Sequence, residues 1–381
     1  MFKAFLPFIV IILVMFAILF ITLFSSWLNT QKPPVYFEEP GPKSKVVPPE
    51  VLRTKDGGKT WQSVLTGPAS ANQYRDIACP DTNTCYLIQN GPTFLASTDL
   101  GTTWLNKNAP TGFSGADTVL GTGPGQLNCP AVKTCFLIDA STFFATVDGG
   151  NSWASSIPVE TDTSTFKSPD LSALDCFDAS NCVVASSRGV LVTTEDGGKT
   201  WKNKWVEPSY HLTGLECPTT NFCIAVGSYS NDKTNESTGI IVTTQDGGKT
   251  WNAHKHEQTF SLDYIQCMSS NICIAKGVAG PGGTERGDLL YKSVDGGKTW
   301  KALNPLFYAI QTSSINCPAE NICYITGHNW ALGRYDTVGL TTNEGATWNS
   351  TYTGINRDHS RLNCVSTEIC FVFVSTIQYL S

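Results

Sequence analysis

The sequence predicts an all-β fold, a seven-bladed β-propeller of four-stranded antiparallel blades that is preceded by one transmembrane helix. Three observations support this prediction. The motif S/T-x-D-x-G-x-T/S-W occurs seven times, about every 48 residues. A pair of cysteines with five residues between them also occurs seven times and alternates with that motif. Short runs of alternating apolar residues, such as CIAVG and GIIVTT, flank both motifs, and a repeat of this length holds four short strands and their turns.

The two motifs place the strands of each blade, which we name A to D. Strand A enters the first cysteine, strand B leaves the second, strand C enters the eight-residue motif, and strand D follows its tryptophan. The repeats begin with a C strand, VLRT, and end with a B strand, CFVFVST. We therefore expect six contiguous blades and a seventh that joins the C-terminal A and B strands to the N-terminal C and D strands. Such closure removes free sheet edges.

The N-terminal segment predicts a membrane anchor. Residues 4–24 are apolar apart from Pro7 and Thr22, and at 1.5 Å per residue they extend about 31 Å, enough to cross a bilayer core. We assign residues 1–28 to a signal anchor, although a cleaved signal peptide is the alternative. Lysines follow the segment as well as precede it, which opposes an external C-terminus. Residues 29–50 contain six prolines and read as an extended linker, and residues 51–381 form the propeller.

Fourteen cysteines predict an oxidising compartment outside the cytosol. A Cys-x5-Cys spacing across an A–B hairpin brings the two sulfurs within bonding reach. Free structural thiols in a cytosolic propeller are one alternative. A zinc site is another, although no C-x-x-C occurs. The expected disulfides join Cys79 to Cys85, Cys129 to Cys135, Cys176 to Cys182, Cys217 to Cys223, Cys267 to Cys273, Cys317 to Cys323 and Cys364 to Cys370.

Composition excludes two classes of protein. Hydrophobic residues make up 41% of the chain, which is too many for an intrinsically disordered protein. The formal net charge is −6, and an acidic chain lacks the cationic surface that nucleic-acid binding requires. We expect no nucleic-acid partner.

The repeated motif resembles the Asp-box, or BNR repeat, of sialidase-like propellers and of photosystem II assembly and stability factors. The resemblance implies a propeller over residues 51–381 and a structural role for the box. The Asp accepts hydrogen bonds in its own turn, a Gly two residues later takes positive φ, and the Trp packs between blades. A ring of ligands built from these residues is the alternative reading. The box positions are Asp56, Asp99, Asp148, Asp196, Asp246, Asp295 and Asn343.

The face formed by the DA and BC loops is the expected partner surface, because the box lies away from the active face in related propellers. Blades 4 to 6 have the longest segments between the second cysteine and the box. Tyr, Trp and Arg dominate binding hot spots, although exposed hairpin tips without a role are equally common. The candidate partner-binding residues on these segments are Tyr229, Arg286, Trp330, Arg334 and Tyr335.

These features favour a membrane-anchored, extracytoplasmic propeller that serves as a non-enzymatic binding or assembly scaffold for a protein or glycan ligand. A glycoside hydrolase is the alternative. However, the chain contains no R-I-P element and only seven arginines, whereas the sialidase resemblance implies that element and an arginine triad. Other propeller glycosidases need a carboxylate pair, for which Glu285, Asp288 and Asp336 are candidates. A structural surface component without a pocket is a third possibility. We predict no catalytic residue, no metal and no cofactor.

Overall fold

The structure is a computed structural model. It describes residues 48–67, 74–89, 91–114, 127–139, 141–158, 170–205, 209–231, 236–279, 288–303, 310–329, 335–352 and 361–374. These residues form seven antiparallel sheets of four strands each. The fold is therefore the predicted all-β, seven-bladed propeller.

The A and B strands form the inner half of every blade. The A strands are β3 (Tyr74–Ala78), β7 (Leu127–Ala131), β11 (Leu171–Cys176), β15 (Tyr210–Glu216), β19 (Thr259–Cys267), β23 (Ile310–Ala319) and β27 (Leu362–Cys364). The B strands are β4 (Cys85–Gln89), β8 (Thr134–Asp139), β12 (Cys182–Ser186), β16 (Cys223–Asn231), β20 (Cys273–Ala279), β24 (Ile322–Asn329) and β28 (Cys370–Val374).

The C and D strands form the outer half, and the box turn connects them. The C strands are β1 (Glu50–Thr54), β5 (Thr93–Ser97), β9 (Thr142–Thr146), β13 (Val190–Thr194), β17 (Glu236–Thr244), β21 (Asp288–Ser293) and β25 (Tyr335–Thr341). The D strands are β2 (Gln62–Thr66), β6 (Leu105–Asn108), β10 (Ala154–Ser156), β14 (Lys202–Trp205), β18 (Asn252–His256), β22 (Lys301–Ala302) and β26 (Asn349–Tyr352).

The ring closes through the seventh blade as predicted. In that blade β1 pairs with β28, so a strand near the start of the described chain lies beside one near its end. Each A strand contacts the A strand of the next blade, and β27 contacts β3. The A strands therefore surround a common centre.

Among the described residues the hydrophobic core consists of seven clusters, one at each junction between neighbouring blades. Between blades 1 and 2, Phe94 and Leu137 are fully buried in such a cluster. Between blades 7 and 1, Phe371 and Leu87 are equally buried. Since burying one such side chain contributes about 1.5 to 3 kcal/mol, stability is distributed around the ring.

The A strands of five blades carry a bulge at the same position, opposite strand B. Ser172 and Thr213 are two of the extra residues. Their hydroxyls donate to the carbonyls of Leu212 and Leu262 in the next blade, at 2.7 and 3.1 Å. A bulge redirects a side chain from the sheet, and here it links adjacent blades.

Blade 4 differs from the expectation drawn from sequence. The segment GSYSNDKTNESTG was expected to be a BC loop, but β16 and β17 extend into it, and Tyr229 pairs with Thr238 across the hairpin. Tyr229 is therefore a strand residue and not a loop tip. Tyr and Thr are favoured in β-strands, and the pairing of β16 with β17 continues as far as Asn231 and Glu236.

The predicted anchor at residues 1–28 and most of the linker lie outside the described residues. Within the part of the chain that the structure describes, no helix has the length and apolar character needed to cross a bilayer.

Candidate partner-binding face and central ring

The box turns and the A–B hairpins lie together on one face of the ring, which we call the box face. In blade 2 the Gly149 N–H donates to the Lys133 carbonyl at 2.9 Å. In blade 3 the Gly197 N–H donates to the Ser180 carbonyl at the same distance. The BC and DA connections therefore lie on the opposite face.

Each box is a closed hydrogen-bond unit. Thr54 Oγ1 donates to Asp56 Oδ1 at 2.8 Å and accepts from the Gly58 N–H at 2.9 Å. The Asp56 carboxylate accepts from the backbone N–H and the hydroxyl of Thr60, at 2.9 and 2.6 Å. The box Asp thus has its acceptor sites occupied inside its own turn, which supports the structural role.

These donors hold the box carboxylates in the charged form. The hydroxyl four residues after the Asp contributes most, followed by the N–H of the same residue, and they lower the pKa to about 2 in Asp56, Asp99, Asp148, Asp196 and Asp246. Partial burial opposes the shift in Asp295, whose pKa is also lowered to about 2 by the equivalent donors.

The seventh box retains this geometry with an amide. Asn343 Oδ1 accepts from the Thr347 N–H at 2.9 Å, and Asn343 Nδ2 donates to Thr347 Oγ1 at 2.8 Å. The direction of one hydrogen bond is reversed, because an amide nitrogen donates where a carboxylate oxygen accepts.

The box tryptophans pack between blades as expected. Trp153 meets Phe94 of blade 1 edge to face, with ring centroids 5.1 Å apart, and Trp201 meets Phe143 of blade 2 at 4.8 Å. The Trp153 indole N–H donates to the Asn108 carbonyl at 2.8 Å. These tryptophans therefore join consecutive blades.

The structure contains the seven disulfides predicted from sequence, each within one A–B hairpin. Their Cα atoms are 4.0 to 4.1 Å apart, slightly closer than the about 4.5 Å of a non-hydrogen-bonded antiparallel pair. Cys176 faces Cys182, and Cys267 faces Cys273, in direct register. Among the described cysteines none is free.

On the opposite face, blade 4 presents an aromatic and cationic surface that we call the blade-4 wall, formed by Tyr210, Tyr229 and Lys255. The rings of Tyr210 and Tyr229 meet edge to face, with centroids 5.9 Å apart. The Lys255 ammonium lies 3.9 Å from the centre of the Tyr229 ring, which is cation–π geometry. The wall thus brings two aromatic rings and a cation into contact.

The blade-4 wall lies beside blade 3, whose B strand is shorter than that of blade 4. Tyr210 packs against the buried cluster between blades 3 and 4, so the wall faces blade 3. There the B strand ends at Ser186, and Arg188 in the following turn forms an exposed ion pair with Asp170 at 2.6 Å. The nine-residue strands of blade 4 extend past this turn. The aromatic side chains of the blade-4 wall therefore project beyond the polar surface of blade 3 that the Arg188–Asp170 ion pair forms.

The other candidate residues are described less completely. Arg286, Trp330 and Arg334 lie outside the described residues, as does Glu285. Tyr335 begins β25 and pairs with Asn329. Asp288 begins β21, and Asp336 follows Tyr335 on β25. Only Tyr229 is therefore placed with its side chain, and the roles of the others remain predictions.

A set of residues that sequence reasoning missed lies at the last position before the first cysteine of each blade, and six of its seven members are polar. We call this set the pre-cysteine ring. Its side chains reach across to the next blade, as where Asn316 Oδ1 accepts from the Cys364 N–H at 3.2 Å. Aligning the repeats on their cysteines would have revealed the polar position. The members are Ala78, Asn128, Asp175, Glu216, Gln266, Asn316 and Asn363.

Two neighbouring members of the ring are acids, in blades 3 and 4. Burial raises the pKa of Asp175. Burial, followed by the nearby Asp175 charge, raises the pKa of Glu216 well above its ordinary value. Beside Asp175 a cleft of about 240 Å³ opens on the box face between the two blades, and Glu195, Asp246 and Lys249 also line it.

Among the described residues no group of three His, Cys, Asp or Glu side chains converges as a metal site. The site chemistry that the structure does show is an aromatic and cationic wall on one face and a pair of buried acids near the other.

Comparison with known proteins agrees with the fold. The family model described as photosynthesis system II assembly factor YCF48 matches residues 130–280. No curated protein matches the sequence.

Among solved structures, the chain is similar to "YCF48 bound to D1 peptide", at 16% identity and a TM-score of 0.55, over 88% of this chain and 99% of that chain. It is similar to YCF48 from Cyanidioschyzon merolae at 16% identity and a TM-score of 0.52, over 77% and 88% of the two chains. A GH74 xyloglucanase from Xanthomonas campestris is also similar, at 14% identity and a TM-score of 0.59, over 84% of this chain and 56% of that chain. The chain is thus a seven-bladed Asp-box propeller of the architecture shared by YCF48-like assembly factors and GH74 enzymes, with a match to the YCF48 family model over its central blades.

Proposed function

We propose that this protein is a non-enzymatic binding or assembly propeller that takes an extended segment of a protein partner on the BC/DA face. The blade-4 wall is the observation that carries the proposal. Tyr is one of the residues that dominate binding hot spots, and the cation–π contact orients the Lys255 ammonium over the Tyr229 ring.

The comparisons support a protein ligand. The residues matched by the assembly-factor model include Tyr210, Tyr229 and Lys255. One similar structure is described as YCF48 bound to a D1 peptide, so a propeller of this architecture takes a peptide. The remaining candidates Arg286, Trp330, Arg334 and Tyr335 follow on blades 5 and 6, and we propose that they extend the same surface.

We also propose that the propeller is extracytoplasmic and held at the membrane by residues 1–28. The seven disulfides support the compartment, because structural disulfides persist where thiols are oxidised. The uncharged segment from Ala4 to Phe24 supports the anchor. Deleting residues 1–28 is expected to move the protein from the membrane fraction to the soluble fraction, and wild-type protein that begins after Ser26 would show a cleaved signal instead.

A glycosidase is the second candidate, because the chain shares its architecture with a GH74 xyloglucanase and contains an acid pair. However, both Asp175 and Glu216 accept hydrogen bonds from neighbouring blades, and the adjoining cleft of about 240 Å³ is smaller than a typical ligand pocket. Hydrolysis of xyloglucan by the wild type that is lost in Asp175→Asn would establish the enzyme.

The binding proposal is tested with a D1 peptide as the first probe, titrated into the full-length protein. Tyr229→Ala and Lys255→Ala are each expected to weaken binding about tenfold, which corresponds to about 1.4 kcal/mol. Phe177→Ala is the matched control, since Phe177 is an aromatic residue with 45% exposure on the box face. Equal losses in all three variants would exclude the wall as the site, and no binding by the wild type would exclude this peptide as the ligand.

A further inference from the structure

The pre-cysteine ring carries two neighbouring carboxyl groups, although four of its other positions carry amides. Asp175 precedes Cys176, the last residue of β11, and Glu216 is the last residue of β15. β11 and β15 are in contact as the A strands of blades 3 and 4. The two acids therefore occupy equivalent places on adjacent blades.

Asp175 ties three blades together. Its Oδ1 accepts from Asn128 Nδ2 of blade 2 at 2.7 Å and from the Cys176 N–H at 3.0 Å. Its Oδ2 accepts from the Cys217 N–H of blade 4 at 2.6 Å. The last bond spans the junction between blades 3 and 4.

Glu216 repeats this arrangement one blade further on. Its Oε1 accepts from Gln266 Nε2 of blade 5 at 2.8 Å, and the Cys267 N–H also donates to its carboxyl group. All these donors are neutral. The Asp175 charge acts on Glu216, and among the described residues no cation is hydrogen-bonded to either carboxyl group, so both cannot ionise without a large electrostatic cost.

The surrounding titratable groups do not supply the missing cation. These strands and the strands packed against them carry, besides the acid pair, Asp139, Tyr210, His211, Tyr229, Asp263 and Tyr264. Among these, burial raises the pKa of the Tyr264 phenol, the Arg361 charge opposes this shift and the Glu216 charge adds to it, and the phenol hydroxyl donates to the Ile315 carbonyl at 2.8 Å. At the cleft, Glu195 and Asp246 are acidic, while Lys249 is exposed and its charge is screened by water.

We propose that Asp175 and Glu216 share one proton at neutral pH and that loss of this proton weakens the junction between blades 3 and 4. The proton leaves to water through the adjoining cleft, and two negative charges then face each other across β11 and β15. The junction between blades 3 and 4 is thereby a pH-sensitive element of the ring.

The direction of the pH effect follows from linkage. A carboxyl group whose pKa is raised by folding stabilises the protein below its unfolded pKa, and this contribution is lost as pH rises through the folded pKa. The acid pair therefore strengthens the junction in mildly acidic solution and weakens it in alkaline solution.

Infrared spectroscopy of the full-length protein tests the shared proton directly. We expect the carbonyl stretching band of a protonated carboxylic acid at pH 7 in the wild type, and loss of that band in the Asp175→Asn/Glu216→Gln double variant. A wild-type spectrum without the band at pH 7, or a band that persists in the double variant, would overturn the shared proton.

Amide hydrogen exchange at Cys217 tests the effect on the junction. After correction for intrinsic rates, we expect the exchange rate of the Cys217 amide in the wild type to rise about tenfold for each pH unit over which the acid pair releases its proton. Glu216→Gln should abolish this rise. Asn316→Asp, which places a single acid between amide neighbours in blade 6, is the matched control and should leave the Cys217 rates unchanged. Exchange at Cys217 that depends on pH equally in the wild type and in Glu216→Gln would overturn the coupling, even if a variant were less stable overall.

Discussion

At the residue scale, the charge of each box Asp is maintained by hydrogen bonds rather than by ion pairs. Asp246 accepts from the N–H and the hydroxyl of Thr250 at 2.8 and 2.6 Å. The same geometry with Asn343 shows that the turn needs acceptors at this place and not a negative charge. A box can therefore hold Asn in place of Asp. The two residues differ in their response to acid, because only the Asp carboxylate is protonated as pH falls.

Asp246→Asn is expected to reduce the acid sensitivity of the protein. The pKa of Asp246 is lowered to about 2, so its contribution to stability is present above its unfolded pKa, near 4, and is lost as pH falls through about 2. Thermal unfolding between pH 2 and 7 should show a smaller decrease of Tm in the variant. Asn343→Asp is the reciprocal control and should show a larger decrease of Tm than the wild type. Parallel curves of Tm against pH for the wild type and both variants would contradict the assignment.

The close approach of the blade-3 box to blade 2 also restricts which residue a single position can hold. Gly198 has a φ of +86°, and a Cβ at this position would overlap the ring of Phe143, a side chain that is 1% exposed. The glycine is therefore required for two independent reasons, backbone conformation and space.

Gly198→Ala is expected to cost about 3 kcal/mol, the sum of about 1 kcal/mol of left-handed strain and about 2 kcal/mol of overpacking. Gly112→Ala is the control, because Gly112 has a φ of +87° and a Cβ added there would meet no atom within 4 Å, and it should cost about 1 kcal/mol. Urea unfolding of both variants measures the difference. Equal costs would show that the Phe143 ring moves aside freely.

At the element scale, the A–B hairpin is the unit that the disulfides close. In blade 3 the bridge joins Cys176 to Cys182 at the end of the paired strands. Because both residues belong to one hairpin, the bridge limits only a short loop of the unfolded chain. Its contribution is therefore small for each blade and is repeated seven times.

Replacing Cys176 and Cys182 together by serine is expected to destabilise the protein by about 2 kcal/mol, the loop-entropy value for so short a closure. Chemical unfolding measures this cost. Mass spectrometry of alkylated, non-reduced wild type should find no free thiol, and fourteen modified cysteines would contradict both the bridges and an oxidising compartment.

The elements also show what the sequence can and cannot predict. Blade number, strand order and the disulfides were predictable, because both motifs repeat and each marks a definite turn. The upper strands of blade 4 were not, since a run such as Ser228, Tyr229 and Ser230 is compatible with a loop until its partner strand is known. The acid pair of Asp175 and Glu216 was missed for a related reason. The two residues are far apart in sequence, and only ring geometry makes them neighbours.

At the scale of the whole molecule, stability depends on every junction being closed. The junction between blades 7 and 1 unites the two ends of the described chain, with Val51 and Phe373 in one buried cluster alongside Leu87. Within blade 7 no turn of the described chain joins β28 to β1, so the pairing of these two strands must hold the ring closed. Because the ring is closed, we expect the terminal blade to unfold as cooperatively as the other blades.

Phe371 and Phe136 test this equivalence, because each follows the second cysteine of its hairpin and is almost completely buried. Phe371 belongs to the cluster between blades 7 and 1, and Phe136 to the cluster between blades 2 and 3. If the ring is closed in solution, replacing either residue by alanine should cost about 3 to 5 kcal/mol in a single unfolding transition. If the terminal junction opens, Phe371→Ala should cost far less than Phe136→Ala. Urea unfolding monitored by tryptophan fluorescence and by circular dichroism distinguishes the two outcomes, since coincident transitions require that all seven blades unfold together.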